Sequence, residues 1–210
     1  MLRILIADDH PIFRNGLKQI LDEEEEMEVA DEAADGRQAL DLLTRKSYDA
    51  LVLDIEMKGM GGLEVLKQVR RDYPELPVLI LSFYPEEQYA LRAFRLGAHG
   101  YLTKDSAVEE LVLALNRIIS GKKFITSTIA ERLSDLLINN GNEKSHEQLS
   151  HREYEVFLKI ADGKSVSEIS NDLSLSPKTV STYKTRIFEK MEMTSDAQVI
   201  RYAIEKDLVK

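Results

Sequence analysis

The sequence predicts an α/β domain, an open and doubly wound sheet of five parallel strands, followed by a small all-α domain built round a helix-turn-helix. Three observations predict it. Short apolar runs alternate with amphipathic stretches over the first 120 residues. Three of those runs are near-continuous Leu, Ile and Val, the composition of parallel strands covered on both faces. Past a polar, turn-rich segment the apolar period is helical throughout, and two Ser-x-x-Glu capping boxes each open a helix.

The strands are expected at Leu2–Ala7, Val29–Ala34, Ala50–Leu53, Val78–Leu81 and Gly100–Thr103, and the helices between them at Ile12–Leu21, Arg37–Arg45, Leu63–Arg71, Glu86–Leu96 and Val108–Ser120. Asp35-Gly36, Pro74 with Pro77, and Gly97 supply turns and helix stops. Gly121 ends the fifth helix, and Ser127 reads as the N-cap of a helix over Thr128–Ile138. Asn139–Ser145 is polar and free of apolar residues, so the flexible part of a linker is placed there. Ser150-His151-Arg152-Glu153 and Ser165-Val166-Ser167-Glu168 then start two helices. Only a tight turn fits between Leu173 and Pro177, where Ser176 caps a third helix and Pro177 takes its first position; Ala197–Glu205 closes the chain. The expected domains are 1–121, a linker over 122–147 with its helix around 128–138, and a helix-turn-helix domain over 148–210.

The 210 residues suit two domains of ordinary size. The absence of cysteine excludes disulfides, thiolate metal sites and a cysteine nucleophile together. No apolar run approaches the roughly 20 residues that span a bilayer, and Asp8 follows the start too soon for a signal peptide. A cytoplasmic protein with no membrane partner is expected. The net charge of −9 argues against a nucleic-acid partner only if it is spread evenly. It is not: Met1–Lys144 holds 18 basic and 26 acidic residues, and Ser145 onward holds 10 and 11.

In open α/β sheets ligands sit outside the carboxyl ends of the strands. Here the strands run into Asp8-Asp9, Asp54, Ser82 and Lys104. Three carboxylates converging on one edge raise one another's pKa unless a cation sits among them, and a hard ion with oxygen ligands, Mg²⁺, suits the set.

Ile6-Ala7-Asp8-Asp9-His10, Leu53-Asp54-Ile55-Glu56-Met57, Leu81-Ser82 and Gly100-Tyr101-Leu102-Thr103-Lys104 resemble the corresponding segments of bacterial receiver domains, over roughly Met1–Gly121. The resemblance implies a flavodoxin-like fold in which Asp54 is the phosphoacceptor. It makes Asp9 a direct Mg²⁺ ligand beside Asp54, has Asp8 orient metal-bound water, and gives the ion the backbone carbonyl of Glu56. Ser82 would hydrogen-bond the phosphoryl oxygens, Lys104 would pair with the phosphate, and Tyr101 would be the switch aromatic that turns inward as Ser82 moves. Many members carry Pro in place of Lys58 and Asp in place of Gly61, so the loop Lys58-Gly59-Met60-Gly61-Gly62 is expected to be looser and less acidic.

On the third helix of the second domain Val180, Tyr183, Ile187 and Met191 form an apolar stripe, expected to face the core. The other face carries short hydroxyls bordered by Lys178, Lys184, Arg186 and Lys190, which suits a helix entering the major groove. Leu149–Glu153, Ile160–Gly163, Glu168–Ser170 and Leu175–Ser181 resemble the LuxR-type DNA-binding domain over about Gln148–Lys210. The pairing with a receiver resembles the NarL/FixJ family of two-component response regulators, nearest the BvgA/EvgA/GacA branch. That resemblance implies Ser181, Thr182 and Thr185 toward bases and Lys178, Thr179, Lys184 and Arg186 on the DNA backbone. It also implies a sensor histidine kinase as donor, double-stranded promoter DNA as target, and a homodimer when phosphorylated. Where Tyr183 stands the family more often has His, and Asn-Lys often replaces Val166-Ser167. Two other readings compete: a small α/β phosphohydrolase fused to a helical module, and a DNA binder that ignores phosphorylation.

Overall fold

The computed structural model describes residues 1–138 and 146–209, so the expected flexible stretch Asn139–Ser145 lies outside the described residues. Two compact units divide the chain, Met1–Asp135 and Leu136–Lys210.

In the first unit the strands β1 (Leu2–Ala7), β2 (Met27–Ala33), β3 (Ala50–Asp54), β4 (Val78–Ser82) and β5 (Gly100–Thr103) form one parallel sheet in the order β2-β1-β3-β4-β5. The helices α1 (Pro11–Asp22), α2 (Gly36–Arg45), α3 (Gly62–Asp72), α4 (Glu86–Arg95) and α5 (Ala107–Ile119) connect them, as parallel strands require crossover connections. β3 and β4 are buried at every position, which is why they read as unbroken apolar runs. β2 starts two residues earlier than the pattern suggests. Met27 is buried and pairs with Leu2, while the polar Glu28 hides the onset of the strand.

The first unit runs past Gly121. Phe124 donates its N–H to the His99 carbonyl at 2.8 Å, and its ring joins the core cluster with Ile118 and Leu102. The following helix, α6 (Ser127–Ile138), is capped by Thr126 rather than Ser127: the Thr126 hydroxyl accepts the Ile129 N–H at 3.4 Å. Thr126 is fixed there by donating to Glu86 Oε2 at the start of α4.

In the second unit a short 3₁₀ turn (His146–Gln148) precedes α7 (His151–Ala161), α8 (Val166–Asp172), α9 (Pro177–Met191) and α10 (Asp196–Glu205). Both capping boxes form, at Ser150 with Glu153 and at Ser165 with Glu168, and Ser176 caps α9 by accepting the Thr179 N–H at 3.1 Å. Tyr154, Phe157, Val180, Ile187, Val199 and Ala203 are fully buried at its centre. Of the expected stripe on α9, Val180, Ile187 and Met191 are buried; Tyr183 is only half-buried, at the edge of that face. Among the described residues no helix is long and apolar enough to cross a membrane.

Candidate functional site

The carboxyl ends of β1, β3, β4 and β5 bring together Asp8, Asp54, Ser82 and Lys104, all buried, with Asp9 beside them at 12% side-chain exposure. Lys104 Nζ lies 2.8 Å from Asp54 Oδ2 and 2.6 Å from Asp8 Oδ2. A buried ammonium is tolerated only when paired, and two carboxylates supply that. The Glu56 N–H donates to Asp54 Oδ1 at 3.1 Å, fixing the other oxygen. Burial pushes the Asp54 carboxyl up to about 6; the Lys104 hydrogen bond opposes this and the charge on Asp8 adds to it. At neutral pH the group remains mostly ionised, the form a nucleophile needs.

The donor set fits a hard divalent cation. Asp8, Asp9, His10 and Asp54 each present a ligand atom within 4.8 Å of the others. Asp8 Oδ2 and Asp9 Oδ1 are buried acceptors with no hydrogen-bond partner: Lys104 and His10 approach them at 2.6 and 2.9 Å, outside hydrogen-bonding geometry. Buried oxygens left with spare lone pairs are what an oxygen-ligated ion satisfies.

Ser82 and Tyr101 are linked through one residue. The Ser82 hydroxyl oxygen accepts the Tyr84 N–H at 3.0 Å, and the Tyr101 hydroxyl donates to the Tyr84 carbonyl at 2.9 Å. Tyr101 is fully buried, its ring already inside the fold. Tyr84 thus joins the two hydroxyls through its own N–H and carbonyl.

The glycine-rich loop after β3 is closed at its base, between a buried Met57 and the first residue of α3. Gly62 donates its N–H to the Ile55 carbonyl at 2.9 Å, Met57 is buried, and Gly59 turns the chain with φ of 79°.

Three residues in the site are not singled out by sequence motifs alone. His10 approaches Asp8 Oδ1 at 3.1 Å and Asp54 Oδ2 at 3.8 Å. The rings of Phe13 and Phe83 lie 4.8 and 4.6 Å from Lys104 Nζ. The available signal was adjacency: His10 follows Asp9, Phe83 follows Ser82, and Phe13 lies in the first turn of α1.

On α9, Lys178, Ser181, Thr182, Thr185 and Arg186 are exposed and Thr179 and Lys184 half-exposed. Ser181, Thr182 and Thr185 donate to the carbonyls of Pro177, Lys178 and Ser181, which occupies their protons and leaves their oxygens to act as acceptors. Lys184 is held by Asp196 at 2.6 Å and must leave it to reach any other anion.

Comparison with known proteins fits both units. The model of the response regulator receiver domain matches residues 4–116, and that of bacterial regulatory proteins of the luxR family matches residues 147–203. The sequence is 34% identical to Response regulator GacA of Pseudomonas aeruginosa, covering 100% of this chain and 98% of that protein. It is 33% identical to Response regulator UvrY of Escherichia coli, covering 99% and 96%. Among solved structures, RcsB from Salmonella enterica serovar Typhimurium bound to promoter rprA in the presence of phosphomimetic BeF3⁻ is similar, with a TM-score of 0.64, 27% identity and 96% and 98% coverage. An acidic site at the strand ends, a capped helix-turn-helix and these full-length likenesses converge: the chain belongs to the two-component response regulators of the NarL/FixJ family, a receiver domain joined to a LuxR-type DNA-binding domain.

Proposed function

We propose that the receiver accepts one phosphoryl group on Asp54 from a sensor histidine kinase, and that this modification controls how α9 engages promoter DNA. The observation that carries the proposal is the buried Asp54–Lys104–Asp8 cluster, with Lys104 Nζ 2.8 Å from Asp54. A carboxylate oxygen of Asp54 attacks phosphorus and the bond to the donor's leaving group breaks, giving an acyl phosphate. Lys104 then transfers its pairing from carboxylate to phosphoryl oxygens. Ser82 keeps its hydroxyl hydrogen for a phosphoryl oxygen, because its own oxygen already accepts from Tyr84. Asp8, Asp9, Asp54 and the Glu56 carbonyl would hold Mg²⁺, which neutralises charge on the transferring group. Self-phosphorylation by small donors and slow dephosphorylation follow from the same groups, without turnover of a substrate.

Attraction of Ser82 to the phosphate pulls on Tyr84 and so on Tyr101, a two-state element of the kind that phosphorylation biases by a few kcal/mol. In the second unit Ser181, Thr182 and Thr185 face bases, while Lys178, Thr179, Lys184 and Arg186 meet phosphates. The RcsB–promoter structure supports promoter DNA as the target. A homodimer placing two α9 helices on one duplex, in the cytoplasm, completes the reading.

Intact-protein mass after incubation with acetyl phosphate tests it. Wild type is expected to gain a single phosphate only when Mg²⁺ is present, and Asp54→Asn to gain none. An absence of adduct in wild type under every condition overturns the phospho-switch and leaves phosphorylation-independent DNA binding. Release of many phosphates per chain favours the phosphohydrolase instead.

A further inference from the structure

The carboxylate that would accept the phosphoryl group is closed off, with the Asp54 side chain 0% exposed. A nucleophile attacking phosphorus, or delivering it, needs an open line to the reacting atoms. Some part of the cover must therefore move. Asp8 and Lys104 are buried and belong to the strand ends, and His10, 3.8 Å from Asp54 Oδ2, is tied to Asp8 and Asp9 at 3.1 and 2.9 Å. Phe13 is half-buried on α1 and packs against the core. Phe83 is different: it is 54% exposed and sits in the loop between β4 and α4, outside any helix or strand. Its ring nonetheless lies over the site, 4.6 Å from Lys104 Nζ, edge-on to His10 at 5.7 Å and 6.4 Å from the Phe13 ring. A large apolar side chain left half in water gains little from burial, so the fold does not account for its placement. What holds it is the ammonium of Lys104, the same group that grips Asp54.

We propose that Phe83 is the movable cover of the phosphoacceptor site, a positioning residue that limits access of water and small phosphodonors and so lengthens the life of the acyl phosphate. The inference rests on Asp54 being phosphorylated. In loading by acetyl phosphate, an Asp54 oxygen bonds to phosphorus while the bond from phosphorus to the acetate oxygen breaks, and acetate leaves with the electron pair. In loss, a water oxygen bonds to phosphorus and the bond to Asp54 breaks. The carboxylate is restored, and the water's proton passes to phosphate or solvent. Each reaction needs a second molecule in line with the bond that breaks. A phenyl ring that must swing aside slows both, and Phe83 can swing because its loop backbone is outside the sheet ladder.

The test measures loading by acetyl phosphate and loss after donor removal, in wild type, Phe83→Ala and Phe83→Tyr, with Mg²⁺ affinity by calorimetry and melting alongside. Phe83→Ala is expected to raise both rates by about threefold to tenfold, equivalent to about 0.7–1.4 kcal/mol off each barrier. Phe83→Tyr keeps the ring and stays near wild type, and neither change moves Mg²⁺ affinity or melting. A purely structural role would change melting without raising both rates. Rates in Phe83→Ala equal to wild type overturn the proposal. Slower loading also overturns it, showing instead that the ring holds Lys104 in place. Wild type that never gains a phosphate takes the proposal down together with the phosphoacceptor reading, an outcome distinct from the other two.

Discussion

A Gly62→Val chain is expected to lose about 3 kcal/mol or more from its receiver unit, while the helix-turn-helix unit melts as in wild type. The backbone at Gly62 is not in the left-handed region; the constraint is space. A Cβ placed there would lie 1.9 Å from the Asp54 carbonyl oxygen, 2.8 Å from the Asp54 carbonyl carbon and 3.0 Å from Ile55 Cα. These are backbone atoms at the end of a buried strand, which cannot rotate away as a side-chain tip can. Either the start of α3 lifts and breaks the 2.9 Å bond from Gly62 to Ile55, or the end of β3 shifts and carries Asp54 with it. Gly59 provides the contrast. Nothing lies within 4 Å of a Cβ there, but its φ is 79°. Gly59→Ala should cost only the strain of the left-handed conformation, about 1–2 kcal/mol. Urea unfolding followed by amide exchange reads the two units separately. A Gly62→Val receiver as stable as Gly59→Ala would sink the steric account.

Glu153→Ala is expected to destabilise the helix-turn-helix unit by about 2–4 kcal/mol, because one buried carboxylate serves two elements. Its Oε2 accepts the Ser150 N–H at 2.6 Å, closing the capping box of α7, and meets Lys190 Nζ of α9 at 2.6 Å. Burial alone would raise its pKa. The hydrogen bonds from Lys190 and Ser150 outweigh that and hold the carboxyl below the ordinary value of 4.5. The folded-state pKa is thus depressed, so the stabilisation is present in full above the unfolded value and is lost as pH falls through the folded one. Glu153→Gln keeps an acceptor for Ser150 but no charge for Lys190, and should fall between Ala and wild type. Denaturant unfolding at about pH 7 and about pH 3 checks the sign: the gap between wild type and Glu153→Gln should narrow at the acid end. A gap unchanged by acid would mean that the carboxylate charge contributes nothing.

Most of the fold was legible because its signals are local. Strands buried on both faces have no polar positions to blur them, and Ser150, Ser165 and Ser176 announce helix starts within four residues. One error falls where a local cue had two equivalent candidates. Thr126 and Ser127 are adjacent hydroxyls, and only the bond from Thr126 to Glu86, 40 residues away, selects the cap. Asp8, Asp54, Ser82 and Lys104 could be assembled in advance because strand ends in a parallel sheet must share an edge. The roof over them could not: Phe13, Phe83 and Lys104 meet through side-chain directions that no spacing encodes. The tie from Glu153 to Lys190 spans 37 residues and is equally invisible in a linear pattern.

The strand order has a consequence for how the chain is made. β1 lies inside the sheet, between β2 and β3, and is the first of the five strands to leave the ribosome. Its second neighbour arrives late, as the bond between Arg3 and Asp49 spans 46 residues. At ordinary rates of translation that interval is on the order of several seconds, during which Leu2–Ala7 carries an unpaired edge rich in Leu and Ile. The nascent receiver is therefore most vulnerable to wrong pairing before β3 emerges. The second unit, made after these strands and built from capped helices, has no strand edge to leave unpaired.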